Sequence, residues 1–152
     1  MTDRELNIAL REMARGLRLC DKWYGEWSDD STIDECLERY VKGFDFCVKN
    51  DWPPLDFIRR NFRREDLHRH HIYLDEEVRI DGGNGYYIFL GDCKGEINFF
   101  GLYAATVYVM HGSNILVRGG EGAKVFVSLY GGDVMCIDDG WAKVKLYYRN
   151  RK

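Results

Sequence analysis

The sequence predicts an α+β protein in two parts, a helical head over residues 1–71 followed by a β-repeat domain, a short right-handed β-solenoid, over residues 72–152. Three observations lead to this prediction. Two capping boxes open amphipathic stretches in the first half. The apolar period changes from about 3.6 residues to about 2 after Ile72. An Ala-x-Val-x-aliphatic pattern then recurs in the second half.

The first helix is expected to begin at the capping box Thr2-Asp3-Arg4-Glu5. A Thr oxygen can accept a bond from a free backbone amide, and the Glu three residues later can return one. Apolar side chains then follow at spacings of three and four, which places them in one stripe. The residues of this stripe are Leu6, Leu10, Met13, Leu17 and Cys20.

A second capping box, Thr32-Ile33-Asp34-Glu35, opens the strongest helical pattern, which we expect to end near Asn50. Pro53 and Pro54 follow it, and proline removes a backbone donor and disfavours helix in the residue before it. Pro54 can then open a short third helix. The sequence therefore predicts a head of two or three helices.

Short apolar or aromatic runs, separated by turn residues such as Gly119-Gly120 and Gly131-Gly132, fill the second half. The pattern Ala-x-Val-x-aliphatic begins at Ala105, Ala123 and Ala142, so its copies are 123 − 105 = 18 and 142 − 123 = 19 residues apart. A solenoid stacks the same inward position on every turn and favours the same side-chain size there, which an antiparallel meander or sandwich does not. We therefore expect three inward columns, with the meander or sandwich as the alternative. The predicted columns are Ala105, Ala123 and Ala142; Val107, Val125 and Val144; and Val109, Val127 and Leu146.

Composition limits the class of protein. No apolar run approaches the roughly 18 residues of a membrane span, and the polar start is unlike a secretory signal, so we expect a cytoplasmic protein. Five cysteines without a CxxC pair predict reduced thiols rather than a disulfide framework. With 22 basic and 25 acidic residues, the net charge of −3 lacks the basic excess of a dedicated nucleic-acid binder.

The helical head, the segment Leu67-His68-Arg69-His70-His71-Ile72-Tyr73-Leu74-Asp75-Glu76-Glu77 and the Ala-Lys-Val-Phe-Val repeat together resemble small proteins of phages and integrated elements of gut bacteria. This resemblance covers nearly the whole chain. It implies a mobile-element origin and brings no catalytic motif and no cofactor. The β-repeat half is also similar to bactofilins, which are right-handed β-helices that polymerise, although the helical head and the small number of coils depart from that pattern.

The outward positions of the repeats predict a binding surface. Tyr108 and Phe126 are expected at equivalent places on successive coils, with Met110, Ser128 and Tyr147 in the neighbouring outward column. Aromatic side chains on the outside of a solenoid are covered either by the protein's own helices or by another chain.

Two polar clusters suggest other sites. Arg59, Arg60, Arg63 and Arg64 could contact the phosphates of a nucleic acid, or could simply form the solvated face of a helix. His68, His70 and His71 lie close in sequence to carboxylates and are weak candidates for a zinc or nickel site, with a polar hinge as the alternative.

A catalytic site is less well supported by the sequence. Cys93 beside Lys94 could be an activated thiol, but the sequence indicates no base for it. Asp133, Asp138 and Asp139 could act as the loop carboxylates of a hydrolase, or could serve the turns alone.

The preferred prediction is therefore a non-enzymatic structural or protein-binding module without a cofactor. We expect it to self-associate through its β-repeat face, as a phage-derived accessory or virion-associated protein. A nucleic-acid-associated regulator is the alternative, and a hydrolase is the weaker one.

Overall fold

The structure is a computed structural model that describes residues 2–15, 27–28 and 31–149. It divides into two compact units, Met1–His70 and His71–Lys152, called below the helical unit and the solenoid. Leu17 and Cys20, the predicted end of the first apolar stripe, lie outside the described residues.

The described residues of the helical unit form five helices. They are α1 (Asp3–Arg15), α2 (Ile33–Lys42), α3 (Phe44–Lys49), α4 (Leu55–Asn61) and α5 (Arg64–Arg69). Both capping boxes form, with the Thr2 and Thr32 hydroxyls each accepting a bond from the backbone amide three residues later at 3.1 Å. The helix expected to run to Asn50 is divided at Gly43, since glycine is among the residues least favourable inside a helix.

A buried asparagine organises the core of the helical unit. Asn7 is fully buried, and its side-chain oxygen accepts bonds from the Trp27 indole N–H and the Cys36 thiol. The Asn7 amide in turn donates to the Ser28 carbonyl at 2.8 Å. Trp27 packs edge to face on Trp52 with ring centroids 5.7 Å apart. These contacts tie residues far apart in the chain, and they satisfy polar groups that would be costly to bury alone.

The solenoid contains two parallel sheets. The first has the strand order β1-β3-β5-β7-β9 and the second β2-β4-β6-β8. The strands of the first are β1 (Ile72–Leu74), β3 (Gly85–Leu90), β5 (Ala104–Val109), β7 (Lys124–Leu129) and β9 (Lys143–Tyr148). The strands of the second are β2 (Glu77–Asp81), β4 (Lys94–Phe100), β6 (Asn114–Gly120) and β8 (Asp133–Asp138).

The pairing confirms the solenoid. Successive strands alternate between the two sheets, and every neighbouring pair within a sheet is parallel. The antiparallel meander or sandwich is therefore ruled out, because it would place consecutive strands side by side in opposite directions.

Two of the three predicted repeats stack as expected. Val125 pairs with Val144, and Val127 pairs with Leu146. Both valines of β7 are almost completely buried in the interior between the sheets. Burying one such side chain contributes about 1.5–3 kcal/mol, so the inward columns are the main source of the stability of the coils.

The first repeat is displaced by two residues from its predicted place. Ala105 pairs with Val125 and Val107 with Val127, so the coil from β5 to β7 spans 127 − 107 = 20 residues rather than 18. The prediction that Ala105 shares a column with Ala123 is therefore wrong. A shift of two residues keeps every inward side chain inward, so the alternating pattern carries no information about it.

Polar side chains at the corners join neighbouring coils by accepting backbone N–H bonds. Asp75 accepts from Asp92 at 2.8 Å, Asn84 from Ala104 at 2.9 Å and Asp139 from Glu121 at 3.1 Å. One corner also requires glycine: Gly132 has φ +80°, and a Cβ there would lie 2.1 Å from the Ser113 carbonyl oxygen. The corners therefore carry sequence requirements separate from those of the core.

Candidate functional site

The predicted outward aromatic residues lie on the first sheet, but not in the predicted columns. Phe126 pairs with Thr106, whereas Tyr108 pairs with Ser128, so Tyr108 and Phe126 are not equivalent. Ser128 does pair with Tyr147. The error has the same cause as the displaced repeat, since the outward positions shift together with the inward ones.

The prediction that Met110 shares a column with Ser128 is also wrong. Its backbone N–H bonds to the carbonyl of Phe89, and Tyr130 makes the equivalent bond to Val109 one coil later. Met110 therefore lies just beyond the end of β5, level with Tyr130.

The outward rings form diagonal rows. Tyr86 stacks on Tyr108 at a centroid distance of 6.3 Å, Tyr108 neighbours Tyr130 at 6.2 Å, and Phe126 stacks on Tyr147 at 6.3 Å. In each contact, the second ring lies on the neighbouring strand or directly after it, two residues beyond the residue that pairs directly with the first. Long aromatic side chains can span this diagonal. These ring contacts join neighbouring coils on their outer face. The rows also present an aromatic surface to solvent, and the Phe126 side chain in it is 43% exposed.

A second apolar surface, which the sequence interpretation missed, lies at the terminal coil. We use this name for β8, the turn 139–142 and β9. Its strands and turn carry four of the exposed large apolar side chains of the described structure. They are Met135 (64% exposed), Ile137 (45%), Trp141 (84%) and Tyr148 (64%).

The interior of the terminal coil is also open. Val134, Cys136, Val144 and Leu146 pack against the core on one side but remain partly exposed. Their partners in the preceding coil are at most 1% exposed, and these are Ile115, Val117, Val125 and Val127. Within the part of the chain that the structure describes, no strand pairs with the outer edges of β8 and β9. An apolar core therefore reaches solvent at this end.

The basic cluster is largely engaged within the helical unit. Arg59 and Arg60 both contact Asp56. Arg59 lies 3.5 Å from the Asp56 carboxylate, and Arg60 donates to the Asp56 backbone carbonyl at 3.3 Å. Arg63 binds the buried carboxylate of Asp66 at 3.0 Å, which raises the pKa of Arg63. Arg64 is exposed at the first turn of α5. Contact with a nucleic acid stays a prediction.

The three histidines occupy different environments. His70 Nε2 lies 2.8 Å from Asp34 Oδ1, and bonds from His70 and then Arg69 lower the pKa of the Asp34 carboxyl. His71 stacks on Tyr87 with ring centroids 4.4 Å apart. His68 lies in α5. Among residues 2–15, 27–28 and 31–149, no three side chains of the types that bind metals come together.

The candidate catalytic residues have structural partners. The Cys93 thiol is completely buried and donates to the Leu90 carbonyl at 3.3 Å, and burial raises its pKa, which opposes a reactive thiolate. Asp139 accepts backbone N–H bonds from Trp141, Glu121 and Ala142, which lower its pKa. Asp138 accepts one from Gly140 at 3.0 Å. These two carboxylates hold the turn between β8 and β9, whereas Asp133 is exposed on β8.

Comparison with protein-family models, with curated proteins and with solved structures finds no match to this chain. Among the described helices, none has the length and apolar character that crossing a membrane would require.

Proposed function

We propose that this chain is a structural or protein-binding module that self-associates through its solenoid. The observation that carries the proposal is the terminal coil, where exposed apolar residues surround an interior that is only half covered. Large exposed apolar patches on proteins mark interaction surfaces. Edge strands add a second means of association, because their unpaired backbone groups can bond to another strand.

One aromatic row of the first sheet reaches this surface. Phe126 stacks on Tyr147 of β9, and the Arg149 guanidinium lies 5.1 Å from the Tyr147 ring centre. Tyrosine, phenylalanine and arginine are enriched in protein interfaces. The predicted aromatic face and the terminal coil thus form one continuous candidate surface.

The proposal extends to location and origin. Cysteines without a CxxC pair favour a reducing compartment, and we place the protein in the cytoplasm. The resemblance to small phage and integrated-element proteins supports an accessory or virion-associated role for the assembled form.

The test is the molar mass in solution, measured by light scattering over a wide range of protein concentration. We expect the wild-type mass to rise above that of one chain as concentration increases. The double variant Met135→Lys with Ile137→Lys should stay monomeric, because both side chains are exposed on β8 and the substitutions leave the inward core intact.

The matched control is Leu102→Lys, which changes a side chain 88% exposed in the turn between β4 and β5. It should associate like the wild type. A wild-type protein that stays monomeric at the highest concentration would contradict the proposal.

A further inference from the structure

The two edge strands of the terminal coil carry opposite charge. β8 contains Asp133 and Asp138 and no basic residue. β9 contains Lys143 and Lys145 and no acidic residue, and Arg149 follows it directly. One edge of the terminal coil is therefore acidic and the other basic.

The two edge strands are also aligned with each other across the interior. A Cβ built on Gly119 would lie 2.6 Å from the Val144 Cγ2 and 3.4 Å from the Ala142 Cβ, so Gly119 faces the start of β9. Gly119 pairs with Asp138 at the end of β8. Because the chain reverses at the turn 139–142, β8 and β9 run in opposite directions at the same level.

We infer that the terminal coils of two copies dock end to end, with β8 of each copy pairing antiparallel with β9 of the other across a two-fold axis parallel to the strands. Such an axis brings the acidic edge of one copy onto the basic edge of the other, twice. It also keeps inward side chains inward, so the two open interiors close on each other. The inference rests on the proposed self-association and names its geometry.

The terminal coil docks on the terminal coil of a second copy, rather than on its opposite end, because the two ends of the solenoid differ in how far their apolar side chains are exposed. None of the large apolar side chains of β1 or β2 is more than partly exposed in the described structure. A head-to-tail stack would therefore place the exposed side chains of Met135 and Ile137 against an end of the solenoid whose apolar side chains are at most partly exposed. Docking of like ends instead gives both copies an apolar partner, and it closes the assembly at two chains.

The alignment of the strands and their charges together select one register. Two registers keep inward residues opposite inward residues, with Leu146 facing either Cys136 or Val134 of the second copy. The first of them also brings Arg149 opposite Asp133. In the same register the exposed side chains of Tyr147 and Met135 face each other, so each would cover part of the apolar surface of the other.

A native cysteine makes this geometry directly testable. In Leu146→Cys, mild oxidation should link the new thiol to Cys136 of the second copy, because directly opposed antiparallel residues lie within disulfide range. The linked peptides would be identified by mass spectrometry in a band of two chains. The control Leu146→Cys with Cys136→Ser should form no such band.

Several results would overturn the geometry. Links between the two introduced thiols in the control would mean that β9 pairs with β9, and links to Cys136 from Val144→Cys instead would mean the other register. A wild-type protein that associates while Leu146→Cys forms no link to Cys136 would refute the inference and leave the proposed function standing. A wild type that is always monomeric would refute both.

Charge reversal gives a second test on exposed residues, which does not depend on substituting the core. Arg149→Glu and Asp133→Arg should each weaken the dimer roughly tenfold, since each makes both strand pairings repulsive at that position. An equal mixture of the two variants should associate with about wild-type affinity, because the mixed dimer restores opposite charges in both pairings. Failure of the mixture to recover would contradict the inference.

Discussion

At the scale of single residues, the solenoid depends on polar side chains that hold its corners. Asp139 is the most heavily used, because one oxygen accepts from the turn that follows it and the other from Glu121 in the preceding coil. From the sequence alone, residues of this kind are predicted only to form turns or to act as candidate catalytic acids. Which backbone amide they bind depends on the stacking of coils, which no local pattern records.

Asp139 should make the stability of the solenoid depend on pH. The backbone bonds lower its pKa below the ordinary value of 3.8, so its contribution is present above that pH and is lost as the pH falls through the lower folded pKa. Asp139→Ala should therefore lower the urea midpoint at neutral pH, and the difference from wild type should shrink below pH 3.8.

The control for this measurement is Asp81→Ala, which removes an exposed carboxylate at the end of β2. It should change the midpoint little at either pH. If Asp139→Ala lowered the urea midpoint equally in acid and at neutral pH, the carboxylate charge of Asp139 would not be what supports the turn.

At the scale of elements, the sequence predicted what local chemistry controls. The capping boxes formed at Thr2 and Thr32, and the change of period after Ile72 marks the start of the strands. The pairing register of Ala105 could not be predicted, because the lengths of the corners and not the strands determine it. A two-residue change in a corner leaves both the pattern and the burial of the strand unaltered.

The inward column that does contain Ala123 provides a stability test. Ala123 is fully buried, and backbone bonding aligns it with Ala142. Ala123→Leu should lower the free energy of unfolding by about 1–3 kcal/mol, because the closely packed interior has no room for the added atoms. Chemical denaturation of wild type and variant measures the difference.

Ala104→Leu is the matched control, since it adds the same atoms at an exposed position of β5. It should change the free energy of unfolding by less than about 0.5 kcal/mol. Equal effects of the two substitutions would mean that Ala123 is not a tightly packed inward residue.

At the scale of the whole molecule, the candidate site follows from the order of the coils. The repeats in the sequence make the coils look equivalent, and they predict a binding surface on the outward faces. The structure instead shows that paired residues of successive coils differ in burial. Val127 is completely buried, whereas its partner Leu146 is partly exposed because no described residue stacks above it. Sequence periodicity identifies inward positions, but it does not show which coil is left uncovered.

The native cysteines report on this uncovered coil without any substitution. Burial raises the pKa of Cys36 to about 11 and of Cys47 to about 12, and Cys93 is fully buried, so all three should react slowly with a thiol reagent. Cys136 faces the half-covered interior of the terminal coil and should react faster in the monomer.

The most direct measurement of the central claim is therefore the labelling rate of Cys136, followed by peptide mass spectrometry, as the concentration of wild-type protein is raised. If the terminal coil is the association surface, the rate should fall in step with the rise in molar mass, while Cys36, Cys47 and Cys93 stay slow throughout. A labelling rate for Cys136 that is unchanged while the molar mass rises would contradict the account, because association would then be using a different surface.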